Sequence, residues 1–324
     1  GRYGNALQAA SHRGCDKIVE VLVSKGADVN AQGGVYGNAL YAASDEGHDK
    51  VVEMLLNKGA DVNAQGGRYG NALQVASHGG HSKIVEMLLN KGADVNMQGK
   101  YSSALYGASI SGHGKIVDVL LSKGANVNAQ GGRYSSALQA ASHRGYDKIV
   151  EVLLSKGADV NVQGGDYGNA LQAASHGGHS KVVRVLLSIG ANVNARGGKY
   201  SNALQAASYG GHDRIVDVLL NKGANVNAQG GEYSNALYAA SFGGYDKIVE
   251  VLLKKGANVN AQGGEYGNAL QAASWTGRDK IVKVLLSKGA DINTQGGVYG
   301  NAVHAASARG HYKIIEMLLS NNAM

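Results

Sequence analysis

Apolar residues along the chain fall into two alternating groupings. The first is short and made of small residues: Ala6, Leu7, Ala9 and Ala10, between Asn5 and Gly14. The second is bulkier: Ile18, Val19, Val21, Leu22 and Val23, between Asp16 and Gly26. Both keep the three-to-four-residue spacing of an amphipathic helix. Asn5 stands where an N-cap belongs and Gly14 where a left-handed residue ends a helix. Asp16 is the expected cap of the second helix, and Gly26 ends it. The stretch from Ala27 to Gly34 lacks helical spacing and is rich in Asn and Gly, which predicts an extended turn or hairpin.

This pattern repeats through the whole chain. Tyr3-Gly-Asn-Ala-Leu recurs with variations at Tyr36, Tyr69, Tyr101, Tyr134, Tyr167, Tyr200, Tyr233, Tyr266 and Tyr299. The period is 33 residues, except for 32 between Tyr69 and Tyr101. The copies run 1–33, 34–66, 67–99, 100–131, 132–164, 165–197, 198–230, 231–263, 264–296 and 297–324, the last truncated. One such unit buries too little apolar surface to stand alone, so copies must stack. The reading is a single domain over 1–324: an all-α repeat solenoid of ten helix-turn-helix units joined by β-hairpin-like loops. At helix spacings of about 8–10 Å it makes a curved rod about 80–100 Å long with a concave groove. Copy four has lost a glycine and carries Gly107, Ile110 and Gly114, which predicts an irregularity around residues 98 to 107. The chain opens at a turn tip, and Asn321 and Asn322 replace the usual Lys-Gly at its end. Solenoid ends need polar caps, so a fragment prone to fraying or end-to-end self-association is expected.

The phrases Gly80-His81-Ser82-Lys83-Ile84-Val85-Glu86-Met87-Leu88-Leu89 and Lys91-Gly92-Ala93-Asp94-Val95-Asn96 resemble the ankyrin repeat, and they recur throughout. The family's Thr-Pro-Leu-His start is replaced by Asn71-Ala72-Leu73-Gln74, and its Asp-x-x-Gly hairpin tip by Gly-Gly-x-Tyr-Gly. The wording Gly-Gly-x-Tyr-Gly-Asn-Ala-Leu-Gln-Ala-Ala-Ser is similar to the C-terminal ankyrin arrays of fungal NLR-like NTPase receptors. The resemblance implies a non-catalytic array that senses a ligand or binds a protein, using its turn tips and the concave face of its first helices.

Comparing copies separates scaffold from surface. Numbered from Gly1, positions 3, 6, 10, 11 and 14 are the same in all ten copies, whereas variation gathers at 2, 8, 12 and 13. Positions 8 and 12 are i and i+4 on the first helix and share a face. The only Phe and the only Trp, Phe242 and Trp275, both occupy position 12, in the copies after Tyr209. Tyr238 lies one turn before Phe242. Clustered exposed aromatics are enriched as interface anchors. We therefore expect a hot spot of Tyr209, Tyr238, Phe242 and Trp275, rimmed by Glu232 and Glu265, for an apolar or basic protein or peptide. The earlier copies instead offer Arg2, Arg68, Lys100 and Arg133 with His12, His78, His143 and His176. These suit acidic surfaces, more so below about pH 6.5, where histidine charges.

Composition narrows the alternatives. The formal charge is +7, but ten of the 31 basic residues sit at position 17 and eight at position 25, among carboxylates on the second helix. That is a solvated mixed-charge face, so nucleic acid is not the expected partner. Six of the 11 histidines occupy the Gly-His position as turn-stabilising hydrogen bonders. No third ligand recurs beside them, and no phosphate loop occurs, so neither metal, cofactor nor catalysis is expected. A scaffold array without a dedicated ligand is the alternative to a binder. The single cysteine, Cys15, and the lack of a long apolar run or signal pattern suit an intracellular, cytoplasmic protein without membrane contact.

Overall fold

A computed structural model of the protein describes residues 3–99 and 103–322. Among them are twenty helices, α1 to α20 in chain order, arranged as ten helix-turn-helix pairs with no named strand. Odd-numbered helices are the first of each pair and even-numbered helices the second. Contacts group the chain into two compact units, Gly1–Ala141 with Tyr146–Asp159, and Ser142–Gly145 with Val160–Met324. Within each unit, the first helices pack closely on one another, whereas the second helices touch their neighbours sparsely.

Side-chain size accounts for that difference. In α3 (Ala39–Asp45), Ala42 and Ala43 are wholly buried, and the lack of bulk lets first helices approach. The second helices supply the filling: in α6 (Ser82–Asn90), Ile84, Val85 and Leu88 have no exposed surface. Each such side chain contributes about 1.5–3 kcal/mol relative to leaving it in water.

The first helices are capped as the sequence implies. Asn38 Oδ1 accepts from the Tyr41 amide at 2.7 Å, and Asn71 forms a full capping box with Gln74. In α7 (Ala104–Ser111), Ser103 Oγ takes the same role at 3.3 Å. The second helices differ from expectation. Asp16 lies inside the first turn of α2 (Asp16–Ser24), and no side chain caps the helix. Where position 15 is histidine, its side chain is directed elsewhere: His48 Nε2 meets the His12 carbonyl of the preceding copy at 3.0 Å. His81, His113, His179, His212 and His311 make the same bond, at 2.8–3.1 Å. Each covers a carbonyl at the C-terminal end of a first helix, a group that the helix itself leaves unpaired. The acid at position 16 still complements the positive end of its helix.

The expected hairpin is reduced to a turn closed by one bridge. The Gly33 amide donates to the Gly37 carbonyl at 2.7 Å, with Gly34 at φ 63° and Gly37 at φ 75°. Two left-handed residues so close together reverse the chain before strands can pair. Beyond the turn, Asn63 at position 30 donates from its amide to Gly92 O at 3.3 Å and accepts from Asp94 N at 2.8 Å. Equivalent asparagines repeat this two-way bond along each unit. The irregularity expected around 98 to 107 falls partly on residues 100–102, outside the described residues.

Candidate functional site

The first helices carry the variable positions, but position 8 points inward. Gln205 is fully buried in α13 (Ala203–Gly210), and its amide donates to Ala228 O at 3.1 Å and Ser234 O at 3.0 Å. Gln271 does the same toward Thr294 O and Gly300 O, at 3.1 and 2.8 Å. Where tyrosine replaces glutamine, the polarity of the link reverses. The Tyr41 hydroxyl accepts from Arg68 N at 3.1 Å and Tyr69 N at 3.2 Å, and the Tyr238 hydroxyl accepts from Tyr266 N at 3.1 Å. Burial pushes both hydroxyls up to about 12. Tyr238 is thus removed from the surface hot spot. It is 2% exposed, because its hydroxyl has to reach the amides of the next turn. Position 8 holds copies in register, and its variation records two ways of making that link.

Position 12 is half-buried. In the unit that contains them, Tyr209, Phe242 and Trp275 interleave with the position-3 tyrosines in a continuous ladder. Ring centroids are 5.3 Å apart from Tyr200 to Tyr209, 4.2 Å from Tyr209 to Tyr233 and 6.0 Å from Tyr233 to Phe242. The ladder continues at 5.9 Å from Phe242 to Tyr266 and 4.4 Å from Tyr266 to Trp275. Such ring pairs add about 0.5–1.5 kcal/mol each beyond their burial. The aromatics therefore answer to packing first: their faces are largely taken, and it is their edges that reach the surface. Arg309 covers Trp275 with its guanidinium 4.7 Å from the ring. The rim acids also have partners: Glu232 pairs with Lys199 at 3.1 Å, and Glu265 lies beside the Tyr266 hydroxyl, which burial and that carboxylate raise.

Within each unit, ring stacks of the same kind absorb the histidines. His12 lies 4.6 Å from the Tyr36 ring, with Glu46 3.4 Å from its Nδ1. His78 stacks on Tyr69 at 4.5 Å and meets Ser111 Oγ at 3.0 Å. His143 lies 4.6 Å from Tyr167, and His176 lies 4.8 Å from Tyr200. Burial holds His78 below the ordinary histidine value, helped by His113 and Arg68, so it gains its charge only in more acidic solution than expected. Arg68 and Arg133 are exposed at turn tips, each close to its neighbouring tyrosine ring, at 5.7 and 6.0 Å. Arg2 and Lys100 lie outside the described residues.

Each unit has a concavity beside its first helices. An open cleft of about 470 Å³ is bordered by Tyr209, His212, Phe242, Tyr245, Thr276 and Arg278, all in one unit. Glycines at position 13, Gly210 and Gly243, give it room. A smaller hollow of about 160 Å³ lies in the other unit, next to Gly107 and Ile110. No cluster of three or more His, Cys, Asp or Glu is placed to hold a metal among the described residues. No helix among them is long and apolar enough to cross a membrane.

A family profile described as ankyrin repeats (three copies) matches residues 2–66, 66–131, 137–230 and 204–296. No curated protein matches the chain.

Proposed function

We propose that this chain, which belongs to the ankyrin-repeat family, is a non-catalytic array that binds a protein or peptide across its first helices and turn tips. Ankyrin repeats are generally protein–protein interaction modules and typically non-catalytic. The observation that carries the reading is the open cleft of about 470 Å³ beside Tyr209 and Phe242. There the half-buried ring edges provide an apolar floor that the ladder holds rigid. Arg278 at the cleft and Glu232 and Glu265 at the turn tips provide polar contacts around it. A pre-ordered floor loses little side-chain entropy on binding.

The test is capture of a partner from native extract by the immobilised chain, followed by titration of the identified partner against Phe242→Ala, Trp275→Ala and Glu265→Lys. Glu265 is exposed, so its substitution leaves the core intact. A loss of about tenfold or more for Phe242→Ala, at retained helix content, is the expected result. Affinity unchanged in all three variants would remove the site. The finer reading is the ligand-sensing array of an NLR-like receptor, and it is supported by the Gly-Gly-x-Tyr-Gly-Asn-Ala-Leu wording. It requires that the same gene encode a nucleotide-binding domain ahead of the array. A transcript that encodes only the array would overturn it.

A further inference from the structure

The cleft beside Phe242 is bordered by the two residues of its unit at which position 15 departs from the repeat. Where that position is histidine, the ring bonds the position-12 carbonyl of the preceding copy, as His212 does to His176 O at 2.9 Å. In the next two copies Tyr245 and Arg278 stand instead. Among the described residues neither side chain makes that bond, and His311 in the copy after them makes it again, to Trp275 O at 3.0 Å. The carbonyls left without it belong to Tyr209 and Phe242, whose ring edges floor the cleft.

Arg278 is held in place without being neutralised. Its guanidinium lies against Gly244, where an added Cβ would come within 2.6 Å of Nε and 2.7 Å of Cζ. Only the bare glycine, at φ 84°, leaves room for it. Arg278 is exposed, and among the described residues its side chain has no ion pair or hydrogen bond. No carboxylate borders the cleft. The acids nearby are engaged or elsewhere: Glu232 pairs with Lys199 at 3.1 Å, Asp279 pairs with Lys313 at 2.6 Å, and Glu265 stands at a turn tip outside the lining. Asp213 and Asp246 border a separate concavity that shares only Gly211 and Tyr245 with this region. A further cation follows along the ladder, where Arg309 lies 4.7 Å from the Trp275 ring.

We propose that the cleft takes a protein segment in which an Asp or Glu stands next to an apolar side chain. The apolar side chain rests on the ring edges of Tyr209 and Phe242, and the carboxylate meets the fork of the Arg278 guanidinium, a geometry that arginine matches with paired bonds. This charge preference is opposite to the one expected from Glu232 and Glu265. The proposal rests on the reading of the chain as a protein-binding array and specifies the partner's chemistry at that same cleft.

The probe is a random-peptide library panned at about pH 7.5, above histidine's ordinary range, against the full chain, Phe242→Ala and Arg278→His. Arg278→His restores the residue most copies carry, so it keeps the fold while removing the guanidinium. Peptides that bind the unsubstituted chain and are lost with Phe242→Ala should carry Asp or Glu next to an apolar residue. Arg278→His should select peptides without that acidic preference. The leading peptide is then titrated through the emission of Trp275, the chain's only tryptophan, stacked 6.2 Å from Phe242. Its form with the acid replaced by the matching amide should bind about two- to fivefold more weakly, the size of one exposed ion pair. Both forms should bind Arg278→His equally. Phe242-dependent peptides without acidic enrichment, enrichment in Lys or Arg, or an unchanged acidic preference in Arg278→His would each overturn this inference and leave the protein-binding reading standing. A search that yields no Phe242-dependent peptide would remove that reading, and this inference with it.

Discussion

Gln205 offers the sharpest test of how the copies are held in register. Its side chain is fully buried, and its amide nitrogen donates to Ala228 O of its own copy at 3.1 Å and to Ser234 O of the next copy at 3.0 Å. Among the described residues its Oε1 has no hydrogen-bond partner, so the donor side carries the link. Gln205→Leu keeps the bulk but leaves Ala228 O and Ser234 O without that donor. At about 1 kcal/mol for each bond lost, and up to about twice that where a carbonyl stays dry, the cost should be about 2–4 kcal/mol. Gln205→Glu removes the same bonds and sets a carboxylate against two carbonyl oxygens, so it should cost more than Leu at pH 7. Its deficit should shrink in acid, where the protonated carboxyl donates one bond. Urea unfolding followed by circular dichroism gives both values, with exposed Lys222→Gln as the control. Because a repeat array unfolds partly by neighbouring interfaces, amide exchange at Ala228 to Ser234 should report the loss locally. The argument is refuted if Gln205→Leu costs less than about 0.5 kcal/mol, or if the Glu variant shows no pH dependence.

Three further outcomes follow from the same geometry. Ser201 sits at φ 65°, where an L side chain costs about 1–2 kcal/mol. Ser201→Gly should gain about 0.5–1 kcal/mol after glycine's greater unfolded-state freedom, read as a higher urea midpoint. Asn227→Ala loses a donated bond to Gly256 O at 3.0 Å and an accepted bond from Asn258 N at 2.8 Å. About 1–2 kcal/mol of lost stability, with faster exchange of the Asn258 amide, is expected. Burial holds His78 and His179 below the ordinary histidine value, so on acidification the unfolded chain takes up protons first, from about pH 6.5. Their contribution is fully present above that pH and falls as pH drops toward the folded values. Urea midpoints measured from pH 7.5 to 5 should therefore decline, and replacing both with Gln should flatten the decline.

The repeat, its helices and its first-helix caps could be read from the sequence because they depend on local chemistry. An Asn or Ser ahead of an apolar face and a Gly behind it specify a helix whatever surrounds it. The identity of positions 3, 6, 10, 11 and 14 across ten copies likewise marks what stacking requires. The site was legible only in part. Positions 8 and 12 share a face by helical spacing, yet Tyr238 turns its hydroxyl into the next copy's turn while Phe242 keeps an edge outside. That distinction lies in where the neighbouring copy's amides and rings fall, which no spacing within one helix reports. The aromatics looked like exposed anchors because clustering alone cannot tell a partner's ring from a ring in the adjacent copy. Asp49, like Asp16 at the same position, looked like a cap because the bond from His48 to the preceding copy spans 36 residues. Local order, then, was decided by the chain itself. Exposure, and with it the cleft beside Phe242, was decided only when copies stacked, because accessibility belongs to the space between copies.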